Sequence, residues 1–288
     1  MEIIVGKTAG FCYGVKRAVD GSIAELKNNQ NQKIYCLGEL VHNKEVVLDL
    51  EKKGIEFIEN IEEAKNKNSK VIIRAHGIEK NIYNKAKENE IDIIDFTCPN
   101  VLKIHKIAED YQKRGYYIFL TGTEKHPEVI GIVSHCGKNL SIIKNEEDME
   151  EAIKKFEKSN IKKLLVISQT TYSIKKFENI RKIIEEKISK DIELVIKNTI
   201  CLATENRQKE TKEISSKVDM MVIIGGKNSS NTKKLYEVAL EYCPKAVCIE
   251  TKDELNKSEI SNIEKIGIMA GASTPQKSID EVIEILSK

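Results

Sequence analysis

Three of the seven cysteines share one kind of position in the sequence. Cys12, Cys98 and Cys201 each follow a short run rich in Ile and Val, and each stands at the start of a stretch with helical spacing. The positive end of a helix favours the thiolate, the form that binds metals, by about 0.3 to 1 kcal/mol. Three thiolates could hold zinc or an iron–sulfur cluster and leave a coordination position open to a substrate. Inert thiols buried in the core are the alternative.

The other four cysteines lack this position. Cys36, Cys136, Cys243 and Cys248 lie in or near apolar strands, which predicts that they are core or incidental residues. The chain has no Cys-x-x-Cys pair, which argues against zinc ribbons and thioredoxin-like redox motifs. A metal site must therefore combine distant segments.

Polar side chains also follow several of the predicted strands. His42, His76 and His126 do so, and an imidazole can donate a hydrogen bond to phosphate and carry positive charge when protonated. Glu128 follows His126 closely and could deliver protons where charge changes, with an exposed, solvated glutamate as the alternative. Thr170 and Thr171 end a further strand.

Two polar loops at helix starts are suited to an anion such as diphosphate. The segment KNSSNT contains Ser229, Ser230 and Asn231, and the segment GASTP contains Ser273. Ordinary helix capping is the alternative for Ser229 or Ser273 alone. The sequence has neither the GxxxxGK[ST] phosphate loop nor the GxGxxG dinucleotide fingerprint, so a nucleotide is disfavoured.

Short apolar runs alternate with longer helical patterns, which predicts an α/β fold with mainly parallel sheets. The order of elements repeats about every 90 to 100 residues. We therefore expect three α/β units over residues 1–96, 97–197 and 198–288, which carry Cys12, Cys98 and Cys201. Ligands of parallel sheets bind beyond the carboxyl ends of the strands. If the units pack around a pseudo-threefold axis, the three cysteines meet at its centre.

The composition narrows the class of protein. Hydrophobic residues make up 40% of the 288 residues and charged residues 32%, as in soluble globular proteins. The net charge of +2, with both signs interleaved, disfavours nucleic acid as a partner. No apolar run approaches the roughly 18 residues of a membrane span. The first residues lack the pattern of a secretion signal, so we expect a cytoplasmic location with reduced cysteines.

The chain resembles one family along nearly its whole length. The matching segments are GFCYGV, ELVHN, RAHGI, DFTCPNV with KIH, HPEVIG, SQTTYS, CLATENRQ, GGKNSSN and AGASTP. In this order they resemble the 4-hydroxy-3-methylbut-2-enyl diphosphate reductases, which catalyse the last step of the methylerythritol phosphate route to isoprenoids. Lys125 and Thr232 depart from the residues usual at their positions in that family.

The resemblance implies a three-lobed fold around one [4Fe-4S] cluster. Cys12, Cys98 and Cys201 would bind the cluster, and its fourth iron would stay accessible to the substrate. The resemblance assigns the diphosphate to the side chains of His42, His76, His126, Ser229, Ser230, Asn231 and Ser273. Thr170 would orient the substrate hydroxyl with Thr171 beside it, and Glu128 would act in proton transfer, so that Glu128, Thr170 and His126 are the expected catalytic residues.

The implied reaction is a two-electron reductive dehydration of an allylic alcohol that yields isopentenyl and dimethylallyl diphosphates. A ferredoxin or flavodoxin would supply the electrons. Two other functions fit the same cysteines: a zinc-dependent hydrolase or hydratase of a phosphorylated substrate, and a non-catalytic cluster-binding sensor.

Overall fold

The computed structural model describes residues 1–65, 68–256, 260 and 263–287. The strands are β1 (Glu2–Val5), β2 (Lys33–Leu37), β3 (Ile55–Ile58), β4 (Ser69–Ile73), β5 (Asp92–Asp95), β6 (Tyr117–Thr121), β7 (Leu140–Ile143), β8 (Lys163–Ser168), β9 (Glu193–Ile196), β10 (Met220–Ile224), β11 (Ala246–Ile249) and β12 (Lys265–Ala270). The helices are α1 (Tyr13–Asn28), α2 (Lys44–Lys53), α3 (Lys80–Glu88), α4 (Pro99–Lys113), α5 (Pro127–Val133), α6 (Met149–Lys158), α7 (Ile174–Lys187), α8 (Leu202–Ser215), α9 (Ser230–Tyr242) and α10 (Gln276–Leu286). Within these ranges, no helix has both the length and the apolar character needed to cross a bilayer.

The strands form three parallel four-stranded sheets, which confirms the predicted α/β class. Their orders are β1-β12-β10-β11, β5-β4-β2-β3 and β9-β8-β6-β7. The three orders are equivalent. Each sheet contains three strands that are consecutive in the chain, and a short edge strand (β1, β5 or β9) pairs with the last of these three (β12, β4 or β8). Strands buried on both faces, such as β10 with its sequence MMVII, are continuously apolar, as expected of parallel sheets.

One strand pairing differs from the order along the chain. Strand β1 pairs with β12, with Glu2 opposite Lys265 and Val5 opposite Ile268, so the first strand belongs to the sheet of the last third. The runs EIIV, DIID and ELVI are too short and too similar to show which sheet each one joins. The division into three domains at residues 96 and 197 stays a prediction.

The chain divides into two compact units. The first comprises residues 1–24, 39–55 and 202–288, and the second comprises residues 25–38 and 56–201. In the first unit, alternate residues of β10 face opposite sides of the sheet, as the pleat requires. Val222 and Ile224 pack in a cluster with Val282 of α10, and Ile223 packs in another cluster with Leu235 of α9.

The second unit has a core on both faces of the β9-β8-β6-β7 sheet. Phe119 of β6 packs with Phe156 of α6 and Phe177 of α7, whereas Leu120 packs with Ile104 of α4 on the other face. Each fully buried side chain of this size contributes roughly 1.5 to 3 kcal/mol. This packing fixes the strands and so determines where their carboxyl ends lie.

The predicted core role of the four remaining cysteines is confirmed in its main part. Cys36 and Cys136 are fully buried and Cys243 is 2% exposed. Cys248 is half-buried and packs against the same cluster as Cys243. Burial raises the pKa of Cys36 and of Cys136 to about 12, so both remain neutral thiols.

Two histidines stack inside the second unit. The rings of His105 on α4 and His135 lie 4.6 Å apart between centroids. A Cβ at Gly77 or Gly131 would lie 3.1 or 3.2 Å from the His105 ring, so glycine keeps space for it. Burial, together with the neighbouring His135, lowers the pKa of His105 to about 4.

Replacing His105 by glutamine should make the fold less sensitive to acid. The pKa of His105 is about 4 in the folded chain against an ordinary 6.5, so the unfolded chain binds more protons between these values. The contribution of His105 to stability is fully present when the pH is above the ordinary pKa of 6.5, and it is lost as the pH falls towards the pKa of about 4 in the folded chain. About 2 kcal/mol is lost between roughly pH 7 and pH 5.

Urea unfolding of the wild type and of His105→Gln at both pH values measures this difference. Comparing the two proteins cancels the contributions of the other titrating groups. An equal loss of stability in both proteins would contradict the prediction.

Candidate functional site

The loops that carry Cys12, Cys98 and Cys201 have the same backbone hydrogen bond. In each, the cysteine N–H donates to a carbonyl oxygen two residues beyond the strand next to the edge strand. The acceptors are the carbonyl oxygens of Ala272, Ala75 and Thr170, at N–O distances of 3.1, 3.0 and 3.1 Å. Helices α1, α4 and α8 begin at the residue after each cysteine, and all three thiols are half-buried. The predicted common position is confirmed, whereas metal binding by these residues stays a prediction.

Six of the predicted binding residues also occupy equivalent positions. His76, Thr171 and Ser273 each directly follow one of the three carbonyl acceptors. The other three follow a second repeated feature of the framework. In each sheet, a glycine comes directly after one of the two inner strands, and its N–H donates to the carbonyl oxygen at the end of the adjacent edge strand. The glycines are Gly38, Gly122 and Gly225, and their N–O distances are 2.8, 3.0 and 2.9 Å. The fourth residue after each glycine is His42, His126 and Ser229, respectively.

In the first unit, two of the predicted segments meet at His42. The buried Ser273 hydroxyl donates to the carbonyl oxygen of His42 at 3.1 Å. A Cβ at Gly226 would lie 2.5 Å from the same oxygen, so only glycine fits there. The His42 Nδ1 atom is 3.2 Å from a Glu39 carboxylate oxygen. The loops around residues 42, 226 and 273 therefore form one cluster.

The start of α9 combines a cap with an unsatisfied amide. The Ser229 hydroxyl accepts from the Thr232 N–H at 3.3 Å, so capping is part of its role. Asn231 is 3% exposed, and neither its amide nitrogen nor its amide oxygen has a partner among the described residues. Each buried polar group without a partner costs about 1 to 3 kcal/mol. A buried amide in this situation requires a polar partner such as a ligand or a bound water.

In the second unit, Glu128 and Thr170 form a buried pair. One Glu128 carboxylate oxygen accepts from the Thr170 N–H and the other from the Thr170 hydroxyl, both at 2.7 Å. Glu128 is 2% exposed, so the alternative of a solvated glutamate is wrong. Burial raises the pKa of Glu128 to about 7, although the hydrogen bonds from Thr170 favour the ionised form. A carboxyl group with this pKa can both hold and release a proton at neutral pH.

The first turn of α5 fixes the orientation and tautomer of His126. Its Nδ1 atom accepts from the Glu128 N–H at 3.2 Å, so the neutral ring carries its proton on Nε2. The His126 ring lies edge-on to His76, with 5.5 Å between centroids. Within this unit, two imidazoles from distant parts of the sequence are therefore in contact, and the buried Glu128 lies two residues from one of them.

Gln169 contacts one of the predicted site residues, although the sequence analysis did not single it out. Its amide nitrogen donates to the Thr171 hydroxyl at 2.8 Å, and its amide oxygen accepts from the Thr123 N–H at 3.2 Å. Gln169 therefore joins the end of β8 to the end of β6. Its place inside SQTTYS, directly after the strand, was the available signal.

Comparison with known proteins identifies the family. A sequence model described as LytB protein matches residues 3–287. The chain belongs to the LytB protein family. It is 43% identical over 285 residues to a 4-hydroxy-3-methylbut-2-enyl diphosphate reductase of Caldanaerobacter subterraneus subsp. tengcongensis. The match covers 99% of this chain and 96% of that protein. A protein of the same name from Clostridioides difficile is 42% identical over 286 residues and is covered to 99%, as is this chain.

Solved structures of the LytB family agree with the fold. The reductase structure from Plasmodium falciparum superposes with a TM-score of 0.91 at 31% identity and covers 100% of this chain and 88% of that one. A structure described as the terminal enzyme of the non-mevalonate pathway gives a TM-score of 0.70 at 35% identity. The match covers 100% of this chain and 99% of that chain. The family predicted from the motifs is confirmed, and the roles of the individual site residues stay predictions.

Replacing Asn231 by leucine should weaken diphosphate binding without destabilising this LytB-family chain. Leucine keeps the number and branching of the side-chain heavy atoms and removes two unsatisfied polar groups, so the melting temperature should stay equal or rise. The Kd for inorganic diphosphate should rise roughly tenfold or more, because one hydrogen bond of about 1.4 kcal/mol corresponds to that factor. Calorimetric titration and thermal unfolding measure the two effects.

The exposed neighbour Asn228 provides the control, since Asn228→Leu should change the Kd little. Unchanged diphosphate binding by Asn231→Leu, or a clear fall in its melting temperature, would show that Asn231 has another role.

Proposed function

We propose that this chain is a 4-hydroxy-3-methylbut-2-enyl diphosphate reductase, which converts its substrate to isopentenyl and dimethylallyl diphosphates by two-electron reductive dehydration. Relatives with this name match it at about 40% identity over nearly the full length of both chains. The observation that carries the proposal is the equivalence of the three cysteine loops, because one backbone hydrogen bond recurs at Cys12, Cys98 and Cys201.

The donor set fits an iron–sulfur cluster. Cys12, Cys98 and Cys201 are half-buried and stand at helix starts, where the thiolate is favoured. Cys36 and Cys136 are poor ligands by comparison, since burial keeps them protonated and their thiols donate to backbone carbonyl oxygens at 3.2 Å. The three half-buried cysteines would hold a [4Fe-4S] cluster with one iron free of protein ligands. When bound, such a cluster supplies single electrons and a Lewis-acidic metal ion.

The polar side chains of each unit would bind the diphosphate. In the second unit, the Nε2–H of His126 is a donor, and His76 lies beside it. In the first unit, the Asn231 amide lacks partners among the described residues, and Ser229, Ser230, Ser273 and His42 stand on the adjoining loops. Binding of the diphosphate, remote from the bond that breaks, can be used to align the reacting carbon.

Glu128 and Thr170 would handle the proton that the reaction requires. Hydroxide is a poor leaving group, so the departing oxygen must be protonated. The pKa of about 7 lets Glu128 carry that proton at neutral pH. The Thr170 hydroxyl donates to Glu128 Oε2. From this position Thr170 would orient the substrate hydroxyl and pass the proton from Glu128 to the departing oxygen. Electrons would come from a ferredoxin or flavodoxin.

Anaerobic purification and assay test the proposed function directly. The protein should contain about four iron and four sulfide per chain and should be brown. It should reduce the allylic diphosphate with an artificial reductant. Cys201→Ser should lose the cluster, whereas Cys248→Ser, also half-buried but outside the common position, should retain it. Stoichiometric zinc without sulfide, or no turnover of this substrate, would refute the proposal.

Replacing Glu128 by glutamine should remove most of the turnover while the cluster stays bound. Glutamine keeps the shape but holds no transferable proton, so kcat should fall roughly 100-fold or more. In the wild type, kcat should decline as the pH rises above the Glu128 pKa of about 7, because the protonated form is consumed. The variant should lack this decline.

The matched control is Glu124→Gln, an exposed glutamate in the preceding loop, which should keep wild-type kcat. Iron and sulfide analysis and steady-state kinetics between roughly pH 6 and pH 9 distinguish the cases. Full activity of Glu128→Gln would remove this residue from the proton pathway and favour a different donor.

A further inference from the structure

The loops before the cysteines are held in two different ways. In the second unit, the third residue before each cysteine is Asp95 or Asn198. The Asp95 carboxylate accepts from the Thr97 N–H at 2.8 Å, and the Asn198 amide oxygen accepts from the Ile200 N–H at 3.0 Å. Each side chain thus forms a local turn with the backbone two residues ahead. Tyr83 further supports the first turn by donating to Asp95 at 2.8 Å.

The loop before Cys12 cannot form this turn, because Ala9 stands at the equivalent position. Glu210 of α8 binds this loop instead. One Glu210 carboxylate oxygen accepts from the Lys7 N–H at 2.7 Å, and the other accepts from the Thr8 N–H at 2.8 Å and from the Thr8 hydroxyl at 2.5 Å. All of these residues belong to the first unit.

Arg207, one turn earlier on α8, binds the other end of the same loop. Its Nη2 atom donates to the Gly10 carbonyl oxygen at 2.6 Å, and its Nη1 atom donates to the Ala203 carbonyl oxygen at 3.1 Å. Arg207 is only 4% exposed. A buried guanidinium group therefore holds the backbone carbonyl two residues before Cys12.

The loop itself allows little adjustment. Gly10 has φ of +93°, and a Cβ at this position would lie 3.2 Å from Ile279 of α10. A Cβ at Gly6 would lie 1.9 Å from the Met269 sulfur. The path of the backbone is therefore set by close packing, and hydrogen bonds from α8 hold its amide and carbonyl groups.

We propose that Arg207 and Glu210 are positioning residues that hold the Cys12 loop in its ligand-binding form. They do for Cys12 what the side chains of Asp95 and Asn198 do for Cys98 and Cys201. This inference rests on the proposed function for its purpose, since the cysteine would be presented to an iron–sulfur cluster. The loop contacts themselves exist without the cluster, so they can be tested in cluster-free protein.

Burial by itself would raise the pKa of Glu210, but the hydrogen bonds from Thr8 and Lys7 lower it overall. The carboxylate is therefore ionised at neutral pH and accepts all three hydrogen bonds. Glutamine at this position would keep one acceptor and turn an N–H₂ group towards the remaining donors. Glu210→Gln thus removes hydrogen bonds to the loop while the volume of the side chain stays nearly the same.

The test measures alkylation of each cysteine in cluster-free, reduced protein by mass spectrometry. In Glu210→Gln and in Arg207→Lys, Cys12 should react roughly fivefold faster or more than in the wild type, because charge-assisted hydrogen bonds to its loop are lost. The rates at Cys98 and Cys201 should stay unchanged. A general loss of stability would accelerate all three sites and would therefore overturn the proposal.

Glu213→Gln is the matched control, an exposed glutamate on the same helix, and it should leave all three rates unchanged. If the first two variants yield too little folded protein, Thr8→Val removes only the hydroxyl contact and should accelerate Cys12 alone, by a smaller factor. Unchanged Cys12 reactivity in the folded variants would refute the positioning role.

A second readout uses the loaded protein. Release of iron to a chelator should be faster in Glu210→Gln than in Glu213→Gln, and iron release at wild-type rates would contradict a role in cluster binding. Because alkylation is read without cluster or substrate, failure of the proposed function would leave that result interpretable.

Discussion

The backbone hydrogen bond from each cysteine amide to the carbonyl beyond the neighbouring strand is the constraint on which the site depends. It exists because a short edge strand lies parallel to a longer strand and the chain crosses the end of that neighbour as it turns into a helix. The common position of Cys12, Cys98 and Cys201 therefore follows from strand pairing, and side-chain hydrogen bonds then hold each loop in place. Packing of the apolar strands, which is the main source of stability, also fixes the thiols.

The same framework presents different side chains in its three copies. One position holds His42, His126 or Ser229, and another holds His76, Thr171 or Ser273. Backbone geometry is repeated, while imidazole or hydroxyl groups vary on it. Functional differences thus lie in loops at the strand ends, and the buried sheets can remain alike.

The polar groups of the site reduce the stability of the empty protein. A carboxyl group at Glu128 loses hydration on burial and recovers part of that energy from two hydrogen bonds to Thr170. The Asn231 amide has no such compensation within the described part of the chain. Both costs are understandable if these groups serve a ligand or a proton transfer, because burial makes a pKa near neutrality and strong polar contacts attainable.

The sequence by itself determined the α/β class, the repeated order of elements, the family and the common position of three cysteines, since each depends on local periodicity and motifs. Only the tertiary structure decided that β1 joins β12, that Glu128 is buried against Thr170, that the Glu128 N–H fixes the tautomer of His126, and that α8 binds the loop before Cys12. These features join residues that are close in the fold, mostly from distant parts of the chain. Many short Ile- and Val-rich strands are interchangeable as parallel partners, so the choice among them is made by packing of the whole unit and leaves no local signal.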